Sequence, residues 1–285
     1  MGLRIQNNIE AFNTHRQLTA TSSQASKAME KLSSGYRINR AADDAAGLGI
    51  SEKMRGQIGG LAQAQRNAQD GISLVQTAEG ALSEVHSMLA RVRDLKVQFN
   101  NGTLDTNDKT AIGAEVLEIA KEVQDILDDT KFNGKTLFSA SSSFDFQVGA
   151  NQGEKITLDA ISLAGDSSVG GLSNLTQLAT NKLVSDAVSA LATNNMSVVS
   201  DIDKMIENVS KVRGSLGAVQ NRLEHRLTNL ATYQENLTAS ESRIRDVDMA
   251  AEMTKFTKLN ILQQAGTSML AQANQAPQGV LSLLR

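Results

Sequence analysis

The 285-residue sequence contains no cysteine and no tryptophan, two tyrosines and one proline, Pro277. Without cysteine there is no disulfide, no thiolate metal ligand and no cysteine nucleophile, and the redox compartment stays open because a cysteine-free chain suits either. With no proline between Met1 and Ala276, nothing of that kind interrupts a helix. The aromatic share is only 3%, while alanine, serine, asparagine and glutamine abound, a composition for helices and hydrogen-bonded interfaces rather than ring-lined pockets. No window approaches the roughly 20 apolar residues of a membrane span, and the first thirty residues lack the apolar core of a secretory signal, so classical secretion is not expected. The formal charge of -3 argues against a general nucleic-acid or anionic-membrane binder. The six Lys/Arg against two Glu in the first forty residues read as local patterning. No GxSxG, HExxH or GxxxxGKS string occurs, which removes the commonest motif routes to a hydrolase, a zinc protease or a nucleotidase.

What is present is helical periodicity. Ile5, Ile9, Phe12, Ala25, Met29 and Leu32 give a sparse one-sided pattern, predicting a first helix over 4–33 that stops at Ser33-Ser34-Gly35. Asp43 and Asp44 precede an alanine-rich run as N-cap residues do. The helix they open carries Ile72, Val75, Ala78, Leu82, Val85, Leu89, Val92, Leu95 and Phe99 in steps of three and four, up to the break at Asn100-Asn101-Gly102. A third helix begins after Asp105 or Thr106, runs through Ile112, Val116, Ile119, Val123 and Ile126, and stops at Phe132-Asn133-Gly134. It should fold back antiparallel on the second. Alternation replaces helical spacing from 135 to 163, at Phe144, Phe146 and Val148 and then Ile156 and Leu158, with Asn151-Gln152-Gly153 as the turn, the only β-structure expected. Gly165 to Asn174 reads as a linker or loop tip.

The strongest pattern follows. Val188, Leu191, Asn195, Val198, Ile202, Met205, Val209, Val212, Leu216, Val219, Leu223, Arg226, Leu230, Tyr233 and Leu237 form seven heptads, polar only at Asn195 and Arg226. So long a seam needs a partner helix, and within this chain only the helices at 43–130 qualify. The expected intramolecular seam therefore pairs Leu82, Val85, Leu89 and Val92 with Val209, Val212, Leu216, Val219, Leu223 and Leu230. The last helix carries Met249, Met253, Phe256, Leu262, Met269 and Ala273, with no charged residue between Leu259 and Leu284. An exposed helix is rarely that uncharged. A Met/Leu face with a Gln/Asn/Ser remainder is best buried against copies of itself or a partner.

Candidate chemistry is thin. His15, His86 and His225 lie far apart with no second ligand at metal spacing, and read as solvated or packed residues. Asp43 and Asp44 read as caps rather than paired catalytic carboxylates. Gly47-Leu48-Gly49 and the GQIGG run at 56–60 lack the preceding strand and the spacing of a phosphate loop, and read as small residues for close helix packing. Arg91, Arg93, Asp94 and Lys96 read as a solvated face of the second helix with local ion pairs. No metal, cofactor or catalytic residue is expected.

The string LSSGYRINRAADDAAGLGIS at 32–51 resembles the amino-terminal signature of bacterial flagellins, the subunits of the flagellar filament. RVRDLKVQ at 91–98 with Asn101-Gly102, FNG at 132–134, QVGANQG at 147–153 and VLSLLR at 280–285 extend the resemblance over nearly the whole chain. It implies a mainly α fold, long antiparallel helices from both arms forming a coiled-coil bundle with a small β-hairpin region in the middle. The implied division is an inner tube of terminal helices (1–42 and 245–285), a coiled-coil layer (43–164 and 182–244, hairpin at about 135–163) and a short outer loop (165–181) where relatives insert variable domains. Assembly contacts are then expected at Ile5, Ile9, Phe12, Met29, Leu32, Met253, Phe256, Leu262, Met269, Leu281 and Leu284. The resemblance further implies a homopolymer, unfolded passage through a type III export channel, an export chaperone on the carboxy-terminal helix, and filament-cap and hook-junction partners. It also implies a vertebrate toll-like receptor contact at Arg91, Leu95 and Glu115. Four positions after that glutamate, where the family pattern has arginine, stands Ile119. Two rival readings are a hook-filament junction protein and a secreted coiled-coil adhesin or effector. The intact motifs at 32–51 and 280–285 favour the filament over the junction.

Overall fold

The computed structural model describes residues 8–138, 143–159, 161 and 199–283, with residues 200–201 and 276–283 described by backbone alone. Ile5, Leu284, Val188, Leu191, Asn195, Val198 and the loop at 165–181 lie outside these residues, as does the side chain of Leu281. In chain order come α1 (Ile9–Ser34), α2 (Ala45–Phe99), α3 (Thr106–Asp129), β1 (Lys131–Phe132), β2 (Lys135–Thr136), β3 (Phe144–Gln147), β4 (Lys155–Leu158), α4 (Val199–Arg245) and α5 (Met249–Leu283). The chain forms two compact units, Met1–Ile58 with Glu235–Arg285, and Gly59–Gln234. Their boundary falls inside α2 and α4, whereas the sequence division was drawn at loops. A continuous helix can pass from one packing environment to another without any break in its backbone.

The helix ends follow the local chemistry. Asp44 accepts the Gly47 N–H at 2.8 Å and caps α2. Asp43 instead accepts the N–H groups of Arg40, at 3.0 Å, and Asn39, at 3.2 Å, pinning the preceding loop. Those backbone hydrogen bonds, Arg40's first, hold its carboxyl below the ordinary aspartate range. Asp105 opens α3 through a reciprocal capping box with Asp108. Gly35 ends α1 in the left-handed conformation and donates its N–H to Lys31 O at 2.9 Å.

Within residues 59–234 one apolar core joins three helices. It contains Val75, Ala78, Leu82, Val85, Leu89, Val92 and Leu95 of α2, Ile112, Val116, Leu117, Ala120 and Val123 of α3, and Ile202, Met205, Val209 and Leu216 of α4. Cross-helix pairs fix the directions. Arg91 meets Glu115 and the Phe99 ring meets Lys109, so α3 runs antiparallel to α2. Arg93 meets Asp203, Glu79 meets Arg213 and Gln65 meets Gln234, so α4 does the same. Lys96 departs from the expected solvated face. It is 2% exposed with its amine 5.4 Å from the Phe99 ring centre, and burial lowers its pKa. Arg91 and Arg93 pair across helices rather than locally, because α2 is flanked by both α3 and α4.

The heptads of α4 are not equivalent along their length. Ile202, Val209, Leu216, Leu223 and Leu230 are all buried. In the other column Met205 is buried, Val212, Val219 and Arg226 are half-buried, and Tyr233 is 46% exposed. A straight α-helix drifts about 20° per heptad from a 3.5-residue repeat, hence about 80° over four. One column is therefore carried out of the seam, which corrects the uniform stripe predicted from periodicity. Arg226 is accommodated where it emerges, its Nε donating to Val148 O at 3.0 Å.

That carbonyl belongs to the β3–β4 hairpin, whose antiparallel register pairs Phe144 with Leu158 and Phe146 with Ile156. Val148 and Ile156 bury against Ala68 of α2 and Leu223 of α4, with Phe146 beside them. The approach needs Gly71, because a Cβ there would stand 3.0 Å from the Phe146 ring and 3.2 Å from Leu223 Cδ1. A second, two-residue pair joins β1 with β2, and β1 lies before the range 135–163 where β-structure was expected. The Phe132-Asn133-Gly134 string does more than end α3: Asn133 and Gly134 both take positive φ, the geometry of a tight hairpin turn.

Candidate assembly surface

In the unit of residues 1–58 and 235–285, α1 lies against α5. Their direction follows from three contacts. Asn8 Nδ2 donates to Ala273 O at 2.7 Å, Leu18 packs on Gly266, and Ala25 and Ala28 bury against Leu259 with Phe256 alongside. Numbers fall on one helix as they rise on the other, so the pair is antiparallel. Asn8 also caps α1, its Oδ1 accepting the Ala11 N–H at 3.1 Å.

The apolar inventory of this pair is small. Among the described residues the cluster holding it together is two alanines and a leucine, with Phe256 half-covered. Fully burying a leucine-sized side chain contributes about 2 kcal/mol, whereas ordering each residue costs about 1–2 kcal/mol of backbone entropy. Helices of 26 and 35 residues draw most of their stability from tertiary burial, and little of it is found within this unit.

The apolar side chains that could supply more burial point outward. Of the eleven large hydrophobic residues exposed among those described, nine lie in this unit: Ile9, Phe12, Met29, Ile50, Met249, Met253, Ile261, Leu262 and Met269. Phe12 is 72% exposed. An open groove of about 460 Å³ runs along α5, floored by Thr254, Thr257, Lys258, Ile261 and Leu262. Of the assembly residues expected from sequence, Ile9, Phe12, Met29, Met253, Leu262 and Met269 are exposed, while Leu32 and Phe256 are half-buried and Phe256 packs within the chain. Met249, on the apolar face read from the sequence, is exposed as well, and so are Ile50 and Ile261, which no spacing singled out: Ile261 lies in the charge-free stretch and Ile50 inside the motif at 32–51.

The residues expected at a receptor contact are brought together on the bundle. Arg91 and Glu115 form an exposed ion pair at 2.5 Å between α2 and α3, and Leu95, one turn on, is 1% exposed. Half-buried Ile119 packs against the core. Among the described residues no three His, Asp or Glu side chains are grouped to hold a metal ion, and no helix is long and apolar enough to cross a membrane.

A long-helix bundle with apolar stripes left open on its terminal helices defines a self-associating helical subunit. Two family models match this chain: the bacterial flagellin N-terminal helical region over residues 5–143 and the bacterial flagellin C-terminal helical region over residues 199–284. The chain is 51% identical over 282 residues to the flagellin of Halalkalibacterium halodurans, covering 99% of both chains. It is 49% identical over 304 residues to the flagellin of Bacillus subtilis, covering 99% of this chain and all of that one. A putative flagellar hook-associated protein from Vibrio parahaemolyticus superposes with a TM-score of 0.58 at 14% identity, over 72% of this chain and 98% of that one, a likeness of fold alone. The chain belongs to the bacterial flagellin family, in a short form without a large outer domain.

Proposed function

We propose that this protein is a structural subunit of the bacterial flagellar filament, and that the α1–α5 pair is the surface through which copies polymerise. The observation that carries the reading is the contrast within one chain: a bundle that hides its seam, and a terminal pair that leaves eight large hydrophobic side chains in solvent. Exposed stripes of this kind are covered by neighbouring copies in a helical polymer. Its role is then mechanical, a stiff extracellular filament for swimming, with no catalytic step.

Assembly proceeds by ordering on joining. The terminal arms bury their stripes when they enter the filament, which favours polymer growth at the tip over polymer inside the cell. Type III export of an unfolded chain, a chaperone that covers the carboxy-terminal helix beforehand, and cap and hook-junction proteins at the filament ends accord with this reading. The inner tube then comprises residues 1–42 and 245–285, with Ile5, Leu281 and Leu284 as further assembly contacts. A vertebrate receptor that reads the bundle would meet the Arg91–Glu115 pair directly, with Leu95 setting the packing beneath it.

Electron microscopy of purified protein after polymerisation tests the reading, beside versions lacking residues 1–30 or 255–285. Filaments from the intact chain alone are the expected result. Filaments from both truncations would overturn the assignment of the surface.

A further inference from the structure

Where the chain leaves α1 and where it enters α5, two short connections cross, and a polar network surrounds the crossing. Val247 N–H donates to Gly35 O at 3.0 Å and Arg37 N–H to Arg245 O at 2.6 Å, so the connections pair as extended backbone beside the Tyr36–Asp246 bridge. The Arg245 guanidinium lies 4.8 Å from the Tyr36 ring centre. Its Nη1 donates to Glu52 Oε1 at 2.6 Å and reaches Ser51 Oγ at 3.4 Å. Ser51 donates to Glu241 Oε1 at 2.9 Å, and Arg55 closes the ring, 3.4 Å from Glu241 and 3.2 Å from the Tyr36 hydroxyl. Ser51, Glu241 and Arg245 are all buried.

This is more polar machinery than a loop crossing requires. An apolar plug would hold two connections together without desolvating an arginine and a glutamate, and their ion-pair partners, Glu52 and Arg55, stay largely exposed, so neither pair is a strong source of stability. Arg245 also keeps its Nε–H buried without a hydrogen-bond partner, a cost accepted with the arrangement. What such a network supplies is direction. A planar guanidinium stacked on the Tyr36 ring, with Nη1 donating to Glu52 and reaching Ser51, tolerates a single geometry.

We propose that Arg245 is a positioning residue for assembly. Locked by Tyr36, Ser51, Glu52 and Glu241, it fixes the points at which the chain leaves α1 and enters α5, and so presents the α1–α5 pair to neighbouring copies in one orientation. The inference rests on the reading of that pair as the assembly surface. Its energetic role is preorganisation: connections ordered before docking need not be ordered during it.

The test compares full-length wild type, Arg245→Ala, Arg245→Lys and Tyr36→Leu, polymerised on wild-type filament fragments. Two quantities are read, the critical concentration by sedimentation and the thermal unfolding of the subunit by circular dichroism. Arg245→Ala is expected to raise the critical concentration about tenfold or more while the main unfolding transition, carried by the bundle core, stays in place. Arg245→Lys should behave like the alanine variant, since it keeps the charge and loses the planar face that stacks on Tyr36. Polymerisation of Arg245→Ala at the wild-type critical concentration would overturn the proposal and leave the filament reading standing. A main transition lowered as far as by Leu223→Ala would also overturn it, by making the residue a general stabiliser. Failure of the wild type itself to elongate the fragments would overturn both readings.

Discussion

The two units of this chain spend their apolar side chains in opposite ways. In residues 59–234 the helices find partners inside the chain: Leu82, Val85, Leu89 and Val92 on α2 share one core with α3 and with Leu216 of α4, and Leu223 buries with Ala68 and the hairpin. In the terminal unit α1 and α5 find only each other, and Ala25, Ala28 and Leu259 are what they bury. The same secondary structure thus serves two ends. A bundle that has completed its core can be a stable subunit, and a pair that has not completed its core can be the means by which subunits join.

Substitutions that act on one unit and spare the other would sharpen this contrast. The largest effect is expected from Leu216→Asp, which places a carboxylate among apolar groups with no partner. The cooperative thermal transition should be lost or fall steeply, and an unchanged melting curve would refute the α2–α4 seam. Leu223→Ala leaves a cavity where the hairpin meets α2 and α4, and should cost about 2–5 kcal/mol in chemical denaturation. Arg91→Ala removes an exposed ion pair between α2 and α3, and should cost less than about 1 kcal/mol, with the difference shrinking further in high salt. The smallest effect on the subunit belongs to Phe12→Ala and Met269→Ala, each within about 0.5 kcal/mol of wild type. These two should nevertheless abolish or greatly slow filament formation in a light-scattering assay. A large loss of subunit stability in either would show that these side chains are already buried in the free protein, and the contrast between the units would collapse.

Much of this was legible in the order of residues. The cap at Asp44, the stop at Gly35, the capping box at Asp105 and the alternation at Phe144–Gln147 and Lys155–Leu158 depend on neighbours within a few positions, and each appears where its signal stood. The heptads of α4 were legible as a period but not as a burial profile. Tyr233 falls on the register and yet lies in solvent, because helix drift accumulates over a distance that no local pattern records. Lys96 shows the same limit in reverse. Its helix position looks polar, and only packing between distant segments makes it interior.

The assembly surface divides along the same line. The charge-free stretch of α5 from Leu259 onward marks itself, since a helix segment without charge asks for cover. Which of its apolar residues face α1 and which face outward depends on how two helices meet, and so Phe256 and Ile261 exchange the roles their spacing allowed. The crossing at Arg245 was not marked in sequence. Tyr36 and Ser51 stand inside the motif at 32–51, but Glu52, Glu241 and Arg245 lie outside it, the last two about 200 positions away, and no local pattern joins them.

By itself the sequence determined the elements, their ends, the family and the presence of two unfinished chain ends, because those follow from periodicity, turn chemistry and composition along the chain. Only the tertiary structure decided which stripe was satisfied internally and which was left exposed. Burial is a property of what lies opposite a side chain, and what lies opposite is set by packing between distant segments.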